Sequence, residues 1–364
     1  MLIYLIIASV CYLGAWSKAP KKAYQLSFFA LWFFMAFRGL DLSSKVDGFY
    51  YHDFFENDVT TLAQFDFNIL SYTRTVQAKT GFGWGFGLLS AVCKTICPRF
   101  EFFQVVFTAL LFVLLAMVMR ELHLSDQEKC LFLFFYMTQQ MLWYFCNLLR
   151  QAPANLIVWY VMLHEFKDHK WIKRILLIGV AMLLHTSAAL ALVMIVAWEW
   201  IQKKGTLKFA QAALLPGALL MLFSDKIVGI CISFMSTYID SRYSMYVGMA
   251  EKSNVINFGL RMVILFLLCF FYRRVQCEKR DKLLAASTLC YLVGAFNGSL
   301  FVRALEYVAI GNYGGLALVH RAFSGTRQSK FVANLLLYLA FMVIFIRFFF
   351  TNAEFLIDYH FFFW

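Results

Sequence analysis

FRGLDLSSKVDGFYYHDFF, Phe37 to Phe55, breaks into an almost unbroken apolar chain with Arg38, Asp41, Lys45, Asp47, His52 and Asp53 set among tyrosines and phenylalanines. How this stretch is read decides the fold. In a soluble protein it would be an ordinary surface loop. The rest of the chain excludes that: of 364 residues 62% are hydrophobic and 15% charged, the mean hydropathy is +0.68, and there are 42 phenylalanines. Soluble domains carry roughly 25% charge. The chain is therefore an all-α polytopic membrane protein, and this stretch is where it leaves the bilayer.

Apolar segments of helix length fall near residues 2–16, 23–37, 102–119, 130–146, 150–166, 171–184, 187–202, 209–223, 259–272, 283–299, 303–319 and 331–350, which makes 12 expected transmembrane helices. Several are shorter than the roughly 20 residues that span a bilayer. Short basic loops at 17–22, 120–129, 167–174, 203–208, 273–282 and 320–330 hold 20 of the 33 Lys and Arg. With twelve crossings all six face one side, which the positive-inside rule makes the cytoplasm. The opposite face of this single transmembrane domain, 1–364, receives a large external loop, 38–101, and a second one, 224–258. That alternation requires GFGWGFGLLSAVCKTIC, 81–97, not to cross. Its glycines and Lys94 suit a re-entrant or interfacial segment.

External cations run against the positive-inside bias, so each needs a reason. Arg38 closes the second apolar segment, Arg150 opens the fifth, Arg303 opens the eleventh, and Arg242 sits in the second external loop. One reading is snorkelling, or pairing with acids such as Asp41, Asp47, Asp240 or Glu306. The other is an anion site, because arginine offers a fork of donors suited to phosphate and keeps its charge when half-buried. A membrane-embedded diphosphate is the anion expected at that depth. His185, in LLHTSAAL, is either a satisfied helix-end residue or a general base, since histidine titrates near working pH. Asp47 is the rival base or a partner for Arg38 and Lys45. Tyr50, Tyr51 and Trp84 suit stacking on sugar rings, or the aromatic belt of a membrane interface.

Other chemistries lack a signature. Most of the nine cysteines lie in apolar runs, where thiols act as small hydrophobes. Cys93 and Cys97 have no second pair or histidine nearby, so no metal is expected. A net charge of +12 would suggest nucleic acid in a soluble protein; here its loop distribution accounts for it, and no nucleic-acid partner is expected. No P-loop or Rossmann fingerprint stands in a suitable context, so no nucleotide or other cofactor is expected.

FRG…VDGFYYHDF, KTGFGWGFGLLS, LLRQAPA, LLHTSA and VRALEYV, in this order over about residues 30–320, resemble the EpsG family of Wzy-like polysaccharide polymerases. The resemblance implies a glycosyltransferase of the bacterial plasma (inner) membrane with a lipid-linked-sugar glycosyltransferase (GT-C-like) fold. It implies that the growing glycan moves from undecaprenyl diphosphate onto a new undecaprenyl-diphosphate-linked repeat unit at the external, periplasmic face. Membrane lipids and a chain-length regulator protein are the further expected partners. Position by position, Arg38, Asp47 and Tyr50 match the first external motif, Arg150 and Gln151 its Arg-Gln, His185 its histidine, and Arg303 and Tyr307 its late Arg and Tyr. Val46 and Lys79 depart from the usual pattern, where glycine and an acidic residue often stand.

On this reading Arg150 and Arg303, with Arg38 and Arg242, hold the donor diphosphate. His185 or Asp47 takes the acceptor proton, while Tyr50, Gln151, Tyr307 and Trp84 touch the sugar. Two alternatives are a polymer ligase of the same fold and a lipid-linked oligosaccharide flippase or transporter. A transporter places ionisable groups at its centre. Here the helix interiors are apolar, with Arg261 and Gln139–Gln140 the main exceptions.

Overall fold

The computed structural model describes residues 2–39, 47–66, 68–80, 83–238, 255–296, 299–323 and 326–351. Among the described residues there is no strand. Contacts divide the chain into two compact units, Met1–Ala188 with Gly325–Trp364, and Ala189–Ser324.

The first unit contains α1 (Leu2–Ala15), α2 (Pro20–Ala36), α3 (Asp47–Asp53), α4 (Ile69–Thr80), α5 (Trp84–Ile96), α6 (Phe100–Glu121), α7 (Asp126–Tyr136), α8 (Leu142–Cys146), α9 (Gln151–Leu163), α10 (Lys170–Leu184) and, late in the chain, α18 (Arg327–Thr351). Local chemistry sets several of these ends. Pro20 opens α2, where its missing N–H costs nothing. Ser125 and Glu128 form a reciprocal capping box on α7, with the Ser125 N–H donating to Glu128 Oε2 at 2.8 Å. Between α7 and α8 lies a π-helical turn, Met137–Met141. There Thr138 Oγ1 donates to Phe134 O at 2.9 Å and Gln139 Nε2 to Phe135 O at 3.0 Å. The polar residues that interrupt the apolar run 130–146 therefore mark the point where the helix widens.

The frame that carries the site is α6, α9 and α10. Helix α9 packs against both α6 and α10, and only residues 164–169 join α9 to α10, so these two run antiparallel. One end of the frame is closed by His164 Nδ1 and Glu121 Oε2, 3.0 Å apart. That end carries the basic segments 120–129 and 167–174. The opposite end carries the start of α6, the start of α9 and the end of α10. Onto it folds the segment from α3 to α5, whose aromatic side chains interlock: Phe86 sits 5.5 Å from Tyr51, 5.7 Å from Phe103 and 5.7 Å from Phe107. At 13 residues α5 is short for a span.

The second unit contains α11 (Leu190–Lys204), α12 (Thr206–Leu222), α13 (Ser224–Tyr238), α14 (Val255–Phe271), α15 (Arg280–Val293), α16 (Ser299–Glu306) and α17 (Ile310–Val319). Helix α15 is its centre. It receives Trp198 Nε1 on Lys282 O at 2.8 Å, and it sends Tyr291 Oη to Leu214 O at 2.6 Å. Against α17 it presents Ser287, whose hydroxyl bonds Asn312 Oδ1 at 2.7 Å. The single helix expected over 303–319 is two, broken at Tyr307–Ala309. The break turns Glu306 and Tyr307 inward, 1% and 0% exposed.

By length and composition α6 and α18 are each apolar enough to cross a membrane, and the stretch Thr186–Lys204 with α12, bent by 116°, passes as a pair. Large apolar side chains point away from both units, among them Leu176, Leu215, Leu222, Phe270, Leu336, Val343 and Phe350. Such surface is stable only in a non-aqueous surrounding, and the protein is a membrane protein.

Candidate functional site

The residues singled out in the sequence divide between the units. Arg38, Asp47, Tyr50, Trp84, Arg150, Gln151 and His185 belong to the first, Arg303 and Tyr307 to the second. Arg242 lies outside the described residues, as do Gly81 and Phe82 of the glycine-rich stretch.

In the first unit, Arg38 follows the end of α2, and its Nη2 donates to Cys146 O at 3.3 Å. Cys146 closes α8, four residues before Arg150. Arg150 is half-buried at the N-terminal end of α9, with its guanidinium carbon 5.8 Å from the centre of the Tyr51 ring. That spacing is a cation–π contact, and the field of α9 adds positive potential at the same end. Gln151 is buried in the first turn of α9, and its N–H is taken by Leu148 O at 3.0 Å.

The aromatic partner of Arg150 is Tyr51. Asp47–Asp53 is helical, so Tyr51, Phe54 and Phe55 share the face turned to α5 and α6, while Tyr50 is 53% exposed. This i, i+3, i+4 pattern is visible in the sequence once the segment is taken as helix instead of loop. Asp47 starts this helix. Lys94, expected only to keep 81–97 from crossing, has a definite structural place. Its Nζ donates to Phe55 O at 2.6 Å and Glu56 O at 2.9 Å, closing the π-helical turn after α3. Tyr72, buried on α4, reaches Gly87 O at 3.4 Å, and burial pushes its phenol pKa up, so it remains a neutral donor.

His185 caps the end of α10 with extended backbone. Its N–H donates to Ala181 O at 2.9 Å, and its carbonyl accepts the Ala188 N–H at 3.0 Å. The glycine-rich stretch bears on this end. A Cβ on Gly83 would stand 2.6 Å from Leu183 O and 3.0 Å from Leu184 O, and one on Gly85 would stand 2.8 Å from Leu183 O. Only glycine permits that approach of backbone to backbone. Trp84, between them, is 41% exposed. Replacing Gly83 by alanine is expected to push α5 off α10 at a cost of about 1–3 kcal/mol, read as a lower thermal midpoint in detergent. An unchanged midpoint would mean that α5 is not seated on α10.

Arg38, Tyr51, Arg150, the α5 glycines and His185 come from four separated stretches of sequence, and the fold gathers all of them at one end of α6, α9 and α10. In the second unit Arg303 is half-buried in the last turn of α16, next to the buried Glu306 and Tyr307. In the same unit α14 contributes Arg261, whose Cδ lies 2.7 Å from where a Cβ on Gly294 would stand.

No curated protein and no solved structure matches the chain. The model of the EpsG family matches residues 21–361, from the start of α2 to beyond α18, and takes in every candidate residue above. With that match over nearly its whole length, the chain belongs to the EpsG family of Wzy-like polysaccharide polymerases.

Proposed function

We propose that the protein elongates a polysaccharide by moving the growing glycan from undecaprenyl diphosphate onto the terminal sugar of an undecaprenyl-diphosphate-linked repeat unit, at the external face of the bacterial inner membrane. The observation that carries this reading is the convergence of Arg38, Arg150 and His185 at the end of the α9–α10 pair opposite the basic segments. The reading includes about twelve crossings and the lipid-linked-sugar glycosyltransferase architecture.

In the reaction, the bond between the anomeric carbon of the donor sugar and the diphosphate oxygen breaks, and undecaprenyl diphosphate leaves with the electron pair. The anomeric carbon forms a new bond to a hydroxyl oxygen of the acceptor, whose proton passes to His185. Arg150 and Arg38 stabilise the charge that builds on the diphosphate, in a site where fixed donors need no reorganisation. Tyr51 holds the Arg150 guanidinium by its ring face. Arg303 and Arg242 are the further proposed diphosphate ligands, Trp84, Tyr50, Gln151 and Tyr307 the proposed sugar contacts, and Asp47 the rival base.

The test is elongation in vitro by the purified protein, given undecaprenyl-diphosphate repeat units from its own host, with products sized on a gel. The wild type is expected to give a ladder, and His185→Ala to slow it about 10²–10⁴-fold, the usual worth of a positioned base. An intact ladder in His185→Ala together with a lost one in Asp47→Asn would move the base to Asp47. Labelled lipid crossing liposome leaflets without any ladder would indicate a transporter. Transfer of finished polymer without elongation would indicate a ligase.

A further inference from the structure

Gln104 is a polar residue near the start of the apolar helix α6, and it is buried, with 8% of its surface exposed. Its side-chain nitrogen donates to Ala36 O at 2.9 Å and to Arg38 O at 2.7 Å. Both partners are carbonyl oxygens, so the amide must present its NH₂ group to them, and its orientation follows from chemistry. The two carbonyls lie at and just beyond the end of α2, where a helix leaves acceptors without internal partners. Phe37, between them, is held by its own N–H on Phe33 O at 3.0 Å.

Arg38 is thus held through both its main chain and its side chain. Its main chain is tied to α6 through Gln104, and its guanidinium is tied to the end of α8 through Cys146 O. Neither tie alone sets where the charge sits. Without Gln104, the tie between the Arg38 backbone and α6 is lost, and the guanidinium is expected to shift with it.

We propose that Gln104 is a positioning residue for Arg38, locking the backbone from which that guanidinium reaches toward the donor diphosphate. The proposal rests on the reading of Arg38 as a diphosphate ligand. A plain helix-capping role would be satisfied by any arrangement that covers the two carbonyls. A positioning role requires the loss of Gln104 to be felt through Arg38.

The experiment is a double-mutant cycle in the full-length protein, reading kcat/KM for the undecaprenyl-diphosphate donor per folded molecule. Gln104→Met keeps the length of the side chain and removes the donor. It is expected to lower kcat/KM about 10–100-fold, the scale of a misplaced catalytic contact, with a split between kcat and KM that follows that of Arg38→Ala. The double variant Gln104→Met/Arg38→Ala is expected to be no worse than Arg38→Ala alone. Gln104→Glu, which sets a carboxylate against two carbonyls, is the second variant should Gln104→Met not fold, and it is expected to lose activity in the same non-additive way. Additive losses, or full activity in a folded Gln104→Met protein beside an impaired Arg38→Ala, would overturn the proposal. Full activity in Arg38→Ala would overturn the reading of Arg38, and this inference with it.

Discussion

Arg150→Ala is expected to slow elongation about 10²–10³-fold, the loss seen when one preorganised donor is removed from a site of developing negative charge. The size follows from the setting. The guanidinium is half-buried, held over Tyr51, and placed at the N-terminal end of the 13-residue α9. Arg150→Lys keeps the charge and loses the planar fork, so it should recover only part of the rate. Folding is a separate matter: Tyr51 keeps its place against Phe86 without Arg150, so the thermal midpoint should move little. Rate and midpoint measured on one preparation distinguish the two effects. An Arg150→Ala protein that elongates normally would remove this residue from the diphosphate site.

Gly311→Ala is expected to be the most damaging small substitution in the second unit. A Cβ at this position would overlap the Ser287 amide nitrogen and lie 2.6 Å from the carbonyl carbon of Ala286 and 2.6 Å from Leu283 O. All three are main-chain atoms of α15, so no side chain can swing aside. The helices must part, and the Ser287–Asn312 hydrogen bond beside the contact stretches with them. Overpacking ordinarily costs about 1–3 kcal/mol; a purely backbone contact should exceed about 3 kcal/mol, a large share of a typical stability of about 5–15 kcal/mol. Gly315, one turn on, offers a contrast. Its Cβ would first meet the end of the Leu268 side chain, 2.7 Å away, and not backbone. The yield of folded protein in detergent should therefore collapse for Gly311→Ala and fall modestly for Gly315→Ala. Equal behaviour of the two would contradict the close approach of α15 and α17. Small residues at such crossings are what helices in lipid use to approach closely.

Among the described residues the apolar runs appear mostly as helix, because runs of that length leave the backbone few other ways to satisfy itself away from water. Their interruptions were harder to read. Thr138 and Gln139 stand out within an apolar run, yet nothing about them states that they return to the carbonyls one turn back. Glu306 and Tyr307 look like the continuation of a helix until both are required to face inward. Arg150 and His185 were legible only as external residues at a common depth; the antiparallel α9–α10 pair puts the start of one helix and the end of the other at the same end. Tyr50 was singled out by the family resemblance, and the burial of Tyr51 follows only once 47–53 is taken as helix. Gln104 had no signature at all: its partners are carbonyl oxygens, which every residue carries.

The seating of Gly83 and Gly85 on the last turn of α10 has a bearing on recombination. A chimera that imports α5 from another family member also replaces the surface on which Leu183 and Leu184 rest, one residue ahead of His185. Foreign side chains at 83 or 85 would lift that turn even if every other imported residue suited its new neighbours. The exchangeable module in this half of the protein is therefore the α5–α10 couple, and crossover points that separate the two helices should yield folded but slow hybrids.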